Sequence, residues 1–532
     1  MSLGSDLRQY WGFSSGLWNF LHGNLTLEEC RLIVSQRMGR RRELFLDFLE
    51  NRVFNLSGSP YHRLMDAAGI DFSEVRSWVL GHGVETALER LAERGVYLTV
   101  DEFKGRADCV RKDMAVRFKE CEFDAVRGKG FSSRSGGSRS SGTEVFIDFR
   151  SIVDESCYSM LLLSAHGLAG FPGVVWFPAG LGLHVVLSHT KQGRTPVRWF
   201  TQVDWTFQMQ NKPLGGFKDS VMKHTMRLVG IIRGYTLPKP EYVPLGETEK
   251  IVTYLSNLAG EYSKCVVRTY PSSAVRAAKV ARELGINLNG VYFVVGGEPI
   301  TVAKMREVES CGGRMIPLYA SMEAGVVSYG CARPKHPDDT HLLADSHAVI
   351  KHRREIYNLG SEVDSLLVTN YLPNASKILL NVEMGDTCII DQRKCGCGWE
   401  SIGFETHLHS IRSFEKLTGE GMTIFNSDLV RIMEEVLPAR FGGSSTDYQI
   451  MEEEVGGFTR LTLIVSPEVG GVEEAAVLKV VSDELTSKAM GSGSSKLSVD
   501  VWKKADTLSV RREYPKRTQA GKILSFQINQ KT

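Results

Sequence analysis

The chain has 532 residues, 42% of them hydrophobic and 24% charged, enough to bury a sizeable core and to divide into a large domain and at least one smaller one. Its 64 lysines and arginines balance 62 aspartates and glutamates, and a net charge of +2 argues against a nucleic-acid partner or a membrane surface. No apolar run approaches the ~18 residues that span a bilayer. The N-terminus MSLGSDLRQYWGF lacks a basic start followed by an apolar stretch, and the ten cysteines are scattered apart from Cys395 and Cys397, so a cytoplasmic protein with reduced thiols is expected.

The first part of the chain, to about residue 125, reads as helical. LTLEECRLIVSQRMGRRRELFLDFLENRVF places apolar residues at three- and four-residue steps, with Thr26 and Glu29 spaced as a capping box. HRLMDAAGI and VETALERLAERGVYL continue the pattern, with Gly69 and Gly95 where helices stop. At 131–149 the serine- and glycine-rich FSSRSGGSRSSGTEVFIDF runs into an apolar strand. From there to about residue 410, GVVWFP, HVVLS, GVYFVVGG, SLLVTNY and TCIID read as strands between helical stretches such as SAVRAAKVARELG, the pattern of an α/β domain. Beyond residue 415 a small α+β unit is expected: a helix in SDLVRIMEEVL, a strand in RLTLIVS, a helix in EEAAVLKVVSDELTSKAM, the glycine–serine run GSGSS, then SVDVW. No long-period repeat is present.

Several segments carry chemistry. Ser135, Gly136, Gly137, Ser138 and Arg139 open a loop that combines bendable backbone, hydroxyl donors and a cation, as phosphate binding requires, although its spacing is neither that of a Walker loop nor of a Rossmann fingerprint. VYFVVGGEPIT is a buried strand entering a turn at Gly297, Glu298 and Pro299, and MIPLYASMEAG is a second strand breaking at Tyr319, Ala320, Ser321 and Glu323. Strand-to-loop junctions of this kind are where α/β proteins bind ligands. Asp386 follows Gly385 at a strand start, an acceptor suited to ribose hydroxyls, and Arg412 and the terminal Gly521-Lys522 complete the series.

In this order the segments resemble the adenylate-forming superfamily of acyl-CoA synthetases, peptide-synthetase adenylation domains and luciferases. The resemblance is nearest to phenylacetate-CoA ligase-like proteins and extends over nearly the whole chain. Three segments differ from the usual family forms: the loop SGGSRSSGT, the YASME segment and the hinge region Ile411-Arg412-Ser413-Phe414-Glu415-Lys416. The resemblance implies a large N-terminal domain, 1–412, with a helical part at 1–125, and a small mobile C-terminal domain, 413–532, bearing a catalytic Lys522. It implies ATP held by the serine–glycine loop, adenine lined by Gly297, Glu298 and Pro299 with Tyr319 stacked on it, and ribose held by Asp386 and Arg412. Ala320 and Ser321 lie in the same nucleotide segment. Glu323 would bind Mg²⁺ near the α-phosphate. The implied reaction joins a carboxylic acid to AMP, releases pyrophosphate and passes the acyl group to a thiol, either CoA or a separate carrier protein. An amine acceptor, or a repurposed nucleotide-binding protein without catalysis, stays open, and a homodimer is allowed.

In such enzymes the acyl pocket lies near Trp176, Phe177, Tyr270 and Pro271, which suits an aryl or medium-sized apolar acid; the same residues read equally well as core. His166 and His184 read as core histidines. Cys395 and Cys397 present two thiolates from one turn, and with Cys331 and one histidine they would form a closed Cys₃His zinc set of structural role. His336 is the first choice for that histidine and His341 the alternative. Zinc in some relatives of this branch supports the same reading.

Overall fold

The computed structural model describes residues 3–112, 114–125, 128–134, 144–177, 182–202, 225–226, 228–356, 361–413, 416–419, 422–425, 429, 431–455, 458–487, 507–516 and 526–528. At its centre is a mixed sheet of ten strands. In chain order these are β1 (Gly173–Trp176), β2 (Arg198–Thr201), β3 (Pro240–Tyr242), β4 (Cys265–Thr269), β5 (Val291–Val295), β6 (Arg314–Ser321), β7 (Gly325–Gly330), β8 (Thr340–Leu342), β9 (Asp386–Gln392) and β10 (Thr406–Ser413). Across the sheet they lie in the order β3-β2-β1-β4-β5-β6-β7-β8-β10-β9. The strands from β3 to β6 are all parallel, and every pairing beyond β6 is antiparallel. The chain therefore builds outward from β1 to β3 and returns to lay β4 on the other side of β1. That reversal makes β1 and β4 the flanks of a topological switch point, where the loops leaving two neighbouring strands run to opposite sides and open a crevice.

The helical N-terminal part comprises α1 (Leu3–Phe20), α2 (Leu27–Gly39), α3 (Arg41–Phe48), α4 (Tyr61–Ala68), α5 (Phe72–His82), α6 (Val84–Glu93) and α7 (Val100–Phe103). The capping box at Thr26 and Glu29 forms, with the Glu29 amide donating to Thr26 Oγ1 at 3.2 Å and the Thr26 amide donating to Glu29 at 2.7 Å. Gly69 ends α4 in the left-handed conformation at φ +64°, which costs a side chain with a Cβ but not glycine. These helices do not stand apart from the rest. The segment 378–383 threads among them: Tyr61 Oη donates to the Ile378 carbonyl at 2.9 Å, and Asn381 Nδ2 donates to Leu88 O at 2.8 Å. Arg37 and Arg41 reach the buried Asp345 and the Ala344 carbonyl.

Five more helices cover the sheet: α8 (Phe149–Ala165), α9 (Gly182–Lys191), α10 (Thr248–Tyr262), α11 (Pro271–Glu283) and α12 (Val302–Glu309). The parallel half is buried on both faces. Val174 and Trp176 of β1 point into a core with α10 and α11, and Val175 points into a second core with α1, α8 and α9. Parallel strands covered on both faces read as continuous apolar runs, which is why GVVW and VYFVV were legible. HVVLS, expected as a strand, is instead the middle of α9, a correction. An apolar run of four or five residues fits a buried helix as well as a buried strand, and Val185, Val186 and Leu187 are all buried around the helix.

A second unit follows, made of β11 (Tyr448–Val455), β12 (Phe458–Val465), α13 (Glu474–Ser487), β13 (Leu508–Arg512) and β14 (Phe526–Ile528). Its strands lie in the order β13-β12-β11-β14 and enclose their own core with α13. The expected helix at 427–437 is, among its described residues, a π turn at Ile432–Val436 continued by Leu437–Phe441. Phe458, at the start of β12, seats against α11, with the Arg276 guanidinium 5.2 Å and the Lys279 ammonium 5.6 Å from its ring centroid. Two cations near one ring add a cation–π attraction to the apolar contact. The overall class is α/β with a large central sheet, as expected.

Candidate functional site

The loops leaving the carboxyl ends of β5 and β6 form one side of an open cleft of about 560 Å³. Six of the expected nucleotide residues line it, namely Gly297, Glu298, Pro299, Tyr319, Ala320 and Asp386, although they lie up to 89 positions apart in the chain. Gly297 sits at φ +82°, and a Cβ there would stand 3.3 Å from the Tyr270 ring, so both the turn and the close approach require glycine. The buried Glu298 carboxylate accepts from the Ser272 amide at 3.0 Å and from Ser272 Oγ at 2.8 Å. It thereby caps the N-terminus of α11, behind Pro271 in the first helical turn, and ties the turn after β5 to the loop after β4. Tyr319 Oη donates to Asp386 Oδ2 at 2.8 Å. Burial, with Asp386 beside it, holds the Tyr319 hydroxyl far above its ordinary pKa, so it stays a donor and fixes the carboxylate's direction. A bulge between Tyr319 and Ala320 in the β6–β7 pairing turns the strand end toward the cleft.

Ser321 and Glu323 lie one step further, at the β6–β7 turn. Ser321 Oγ accepts from the Ala324 amide at 3.0 Å and closes that turn. His347 meets the Ala324 carbonyl through Nε2 at 3.0 Å, and burial pulls its pKa down to about 4, so the ring is neutral at pH 7 and donates there. Glu323 is ion-paired with Lys104, which also reaches Glu120 at 3.0 Å. Lys377 continues the row, 3.7 Å from Glu120 and 2.5 Å from Asp124. The carboxylate expected to hold Mg²⁺ is thus already set in an alternating row of charges. Lys104 carries no motif of its own; only its position after α7 brings it to Glu323.

At the switch point, Phe177 after β1 and Tyr270 after β4 meet edge to face with centroids 4.9 Å apart. Pro271 is buried beside them, and Trp176 is core, its carbonyl accepting from Thr269 Oγ1 at 2.8 Å. His166 is satisfied by the Gly330 carbonyl at 3.1 Å, and His184 lies 4.0 Å from Glu155.

The antiparallel half holds a different site. One donor atom from each of Cys331, His341, Cys395 and His407 lies within 4.8 Å of the other three. Cys397 joins them, its sulfur 3.2 Å from His341 Nε2, with the Cys395 sulfur at 3.5 Å. A hydrogen bond from Cys331, with His341 alongside, pulls the Cys397 thiol far down toward thiolate. Both histidines are oriented from behind: His341 Nδ1 meets the Phe404 carbonyl at 2.8 Å, and His407 Nδ1 meets Asp339 Oδ1 at 2.7 Å. His407 Nε2 is left buried with no hydrogen-bond partner. Such an atom costs free energy unless something binds it, and sulfurs gathered with imidazole nitrogens suit a tetrahedral zinc ion, which takes four donors; those of Cys331, His341, Cys395 and His407 all lie within reach of one another. Of the two histidines expected here, His341 is in the cluster. His336 is exposed and stacks on His409 at 3.9 Å, which corrects the first choice. His407 was not foreseen; its signal is the alternation in HLHS, which puts His407 and His409 on one face of β10.

Arg412 does not line the cleft. Its guanidinium is held by Asp338 at 3.1 Å, while its strand neighbours Ile411 and Ser413 do line it. The loop with Ser135, Gly136, Gly137, Ser138 and Arg139, the hinge residues Phe414 and Glu415, and Lys522 lie outside the described residues.

No family model matches the sequence, and no curated protein does. Among solved structures, the chain is similar to a 2-hydroxyisobutyryl-CoA ligase in complex with 2-HIB-AMP and CoA, with 15% identity and a TM-score of 0.48 over 95% of this chain and 91% of that one. It is similar to the anthranilate CoA ligase AuaEII in complex with anthranoyl-AMP, with 10% identity and a TM-score of 0.32 over 74% and 65%. It is also similar to the adenylation domain of a keto acid-selecting NRPS module bound to keto acyl adenylate, with 12% identity and a TM-score of 0.29 over 94% and 96%. All three are distant likenesses.

Proposed function

We propose that the protein activates a carboxylic acid with ATP, forming an acyl-adenylate and releasing pyrophosphate, and then passes the acyl group to a thiol of CoA or of a separate carrier protein. The observation that carries this reading is the gathering of the turn 297–299, the Tyr319–Asp386 pair and Ala320 around one cleft, next to a switch-point crevice flanked by Phe177 and Tyr270. Adenine lies between the turn after β5 and Tyr319. Asp386, aimed by Tyr319, accepts from the ribose hydroxyls. The substrate's ring or alkyl part rests at Phe177 and Tyr270, with its carboxylate turned toward the α-phosphate. A carboxylate oxygen attacks the α-phosphorus and the bond to pyrophosphate breaks. Glu323 would hold Mg²⁺, which supplies charge neutralisation at the phosphates. Lys522, carried by the C-terminal unit and delivered about a hinge at 414–416, neutralises the negative charge that builds at the reacting oxygens. The loop 135–143 holds the outer phosphates. Four donors drawn from Cys331, His341, Cys395, Cys397 and His407 would hold zinc in a structural role away from the reacting atoms. The aromatic crevice suits an aryl or medium-sized apolar acid, in keeping with a phenylacetate-CoA ligase-like subtype, and the reduced cysteines favour a cytoplasmic setting.

The test is ATP–pyrophosphate exchange over a panel of aryl, alkyl and amino acids, with Lys522→Ala beside the parent. Exchange with one class of acid, reduced about 10²- to 10³-fold in the variant, is the expected result. ATP binding without exchange for any acid would favour a repurposed nucleotide-binding protein.

A further inference from the structure

The loop from β7 to β8 begins at Cys331 and ends near His341, so a metal held by both would close it. Near its end stand two consecutive buried aspartates that face opposite ways. Asp339 faces the Cys/His cluster: Oδ1 accepts from His407 Nδ1 at 2.7 Å, and Oδ2 accepts from the Lys335 amide at 2.7 Å and pairs with Arg393. Asp338 faces the cleft and lines it. Its Oδ1 accepts from the Ser410 amide at 3.0 Å, and its Oδ2 accepts from the Ile411 amide at 2.8 Å and from Arg412 at 3.1 Å.

What Asp338 holds is not relaxed strand. Ser410 has φ +54°, unusual for a residue with a Cβ, and the β9–β10 pairing shifts register across from it. A backbone in that region persists only where its surroundings hold it, and here a carboxylate takes two successive amides. Adjacent Cα atoms are about 3.8 Å apart, so a shift of the backbone at one aspartate carries to the other.

We infer that Asp338 and Asp339 are positioning residues that couple a zinc ion bound among Cys331, His341, Cys395, Cys397 and His407 to the nucleotide cleft. With zinc bound, His407 holds Asp339, the loop is fixed, and Asp338 sets the cleft wall at 410–412. Without zinc, His407 is free to turn, the loop slackens and that wall loses its carboxylate. The nucleotide part of this inference rests on the function proposed above; the coupling itself does not, and the test separates the two.

Zinc per chain would be measured on the purified full chain by elemental analysis. Hydrogen exchange at the Ser410 and Ile411 amides would be followed with zinc, after chelation and after zinc is restored, and ATP affinity would be read by calorimetry in the same states. The expected result is one zinc per chain, with both amides exchanging at least about tenfold faster and ATP binding about tenfold weaker after chelation, and recovery on adding zinc back. Asp339→Asn should weaken zinc binding about 10- to 100-fold and behave as the chelated parent unless zinc is in excess. Asp338→Asn should keep its zinc, which also reports that it folds, yet lose the amide protection and the ATP affinity. A parent that binds no zinc, or amides whose exchange ignores its removal, overturns the inference, and chelation of the parent decides this even if a variant fails to fold. Zinc-dependent exchange in a parent that binds no ATP upholds the coupling and overturns the adenylation reading.

Discussion

The two halves of the central sheet solve opposite problems. In the parallel half, β1, β4, β5 and β6 all end at one edge, and the four loops leaving them carry Phe177, Tyr270, Glu298 and Glu323. Loops that leave one edge side by side can cradle a ligand without disturbing the covered strands behind them. In the antiparallel half, β7, β8 and β10 run back and forth, and side chains opposite one another across strands meet in the interior: His341 pairs in register with His407. That geometry suits a fixed cluster more than a binding cleft. The difference teaches that the direction of the strands decides where loops gather beside a cleft and where side chains meet in a closed cluster, with Asp338, Thr340, Asp386, Ile411 and Ser413 of the antiparallel half completing the cleft's lining. Asp338 and Asp339 lie at the seam between the halves.

Stripping the metal should give the largest effect. If zinc binds with the free ion about 1,000-fold above its Kd, its removal costs about 4 kcal/mol of stability. Thermal denaturation with and without a chelator checks this, and an unchanged midpoint would break the view of the antiparallel half as a metal-held knot. Asp386→Ala should come next, weakening nucleotide binding about 100-fold while zinc content stays at the parent level, because the Asp386 carboxylate meets Tyr319 in the cleft and is not among the clustered donors; calorimetry with elemental analysis reads both.

Acid should act through the buried histidines. His347, with its pKa pulled down to about 4, and His189, pulled down to about 3, bind fewer protons folded than unfolded, where the pKa is about 6.5. Their contribution is complete above pH 6.5 and is lost as pH falls toward 4, by about 2 kcal/mol at pH 5 for His347 alone. Denaturant titrations from pH 7 to pH 4 should show the decline, and His347→Gln should flatten part of it. Glu298→Gln should cost about 1 kcal/mol, since the amide oxygen still accepts from Ser272 but the charge at the start of α11 is gone. The smallest change is expected from Lys104→Gln, which removes the cation beside Glu323 and should lower the Mg²⁺ concentration for half-maximal exchange about threefold. A rise instead would show that Lys104 serves the phosphates directly.

Much of this was readable in the chain. Continuous apolar runs marked β1 and β5 because both faces of a parallel sheet are buried, and the capping box at Thr26 marked the start of α2 because its two hydrogen bonds are local. HVVLS was not, since five residues hold too little periodicity to separate a helix from a strand. Gly297, Glu298, Pro299, Tyr319, Ala320 and Asp386 were legible as a series because each sits at a strand end or in the turn beside it. Lys104, Asp338, Asp339 and His407 were not, because each is an ordinary charged or polar residue until another part of the chain is brought against it.

By itself the sequence determined many of the local elements and the α/β class, and it pointed to six of the residues that line the cleft, because these depend on periodicity, caps and turns that act within a few positions. Only the tertiary structure decided that His341 and His407 face the thiols while His336 does not, that Glu323 meets Lys104 across 219 positions, and that two neighbouring aspartates look toward different sites. Those are contacts between distant segments, and the packing of the sheet against its helices selects them.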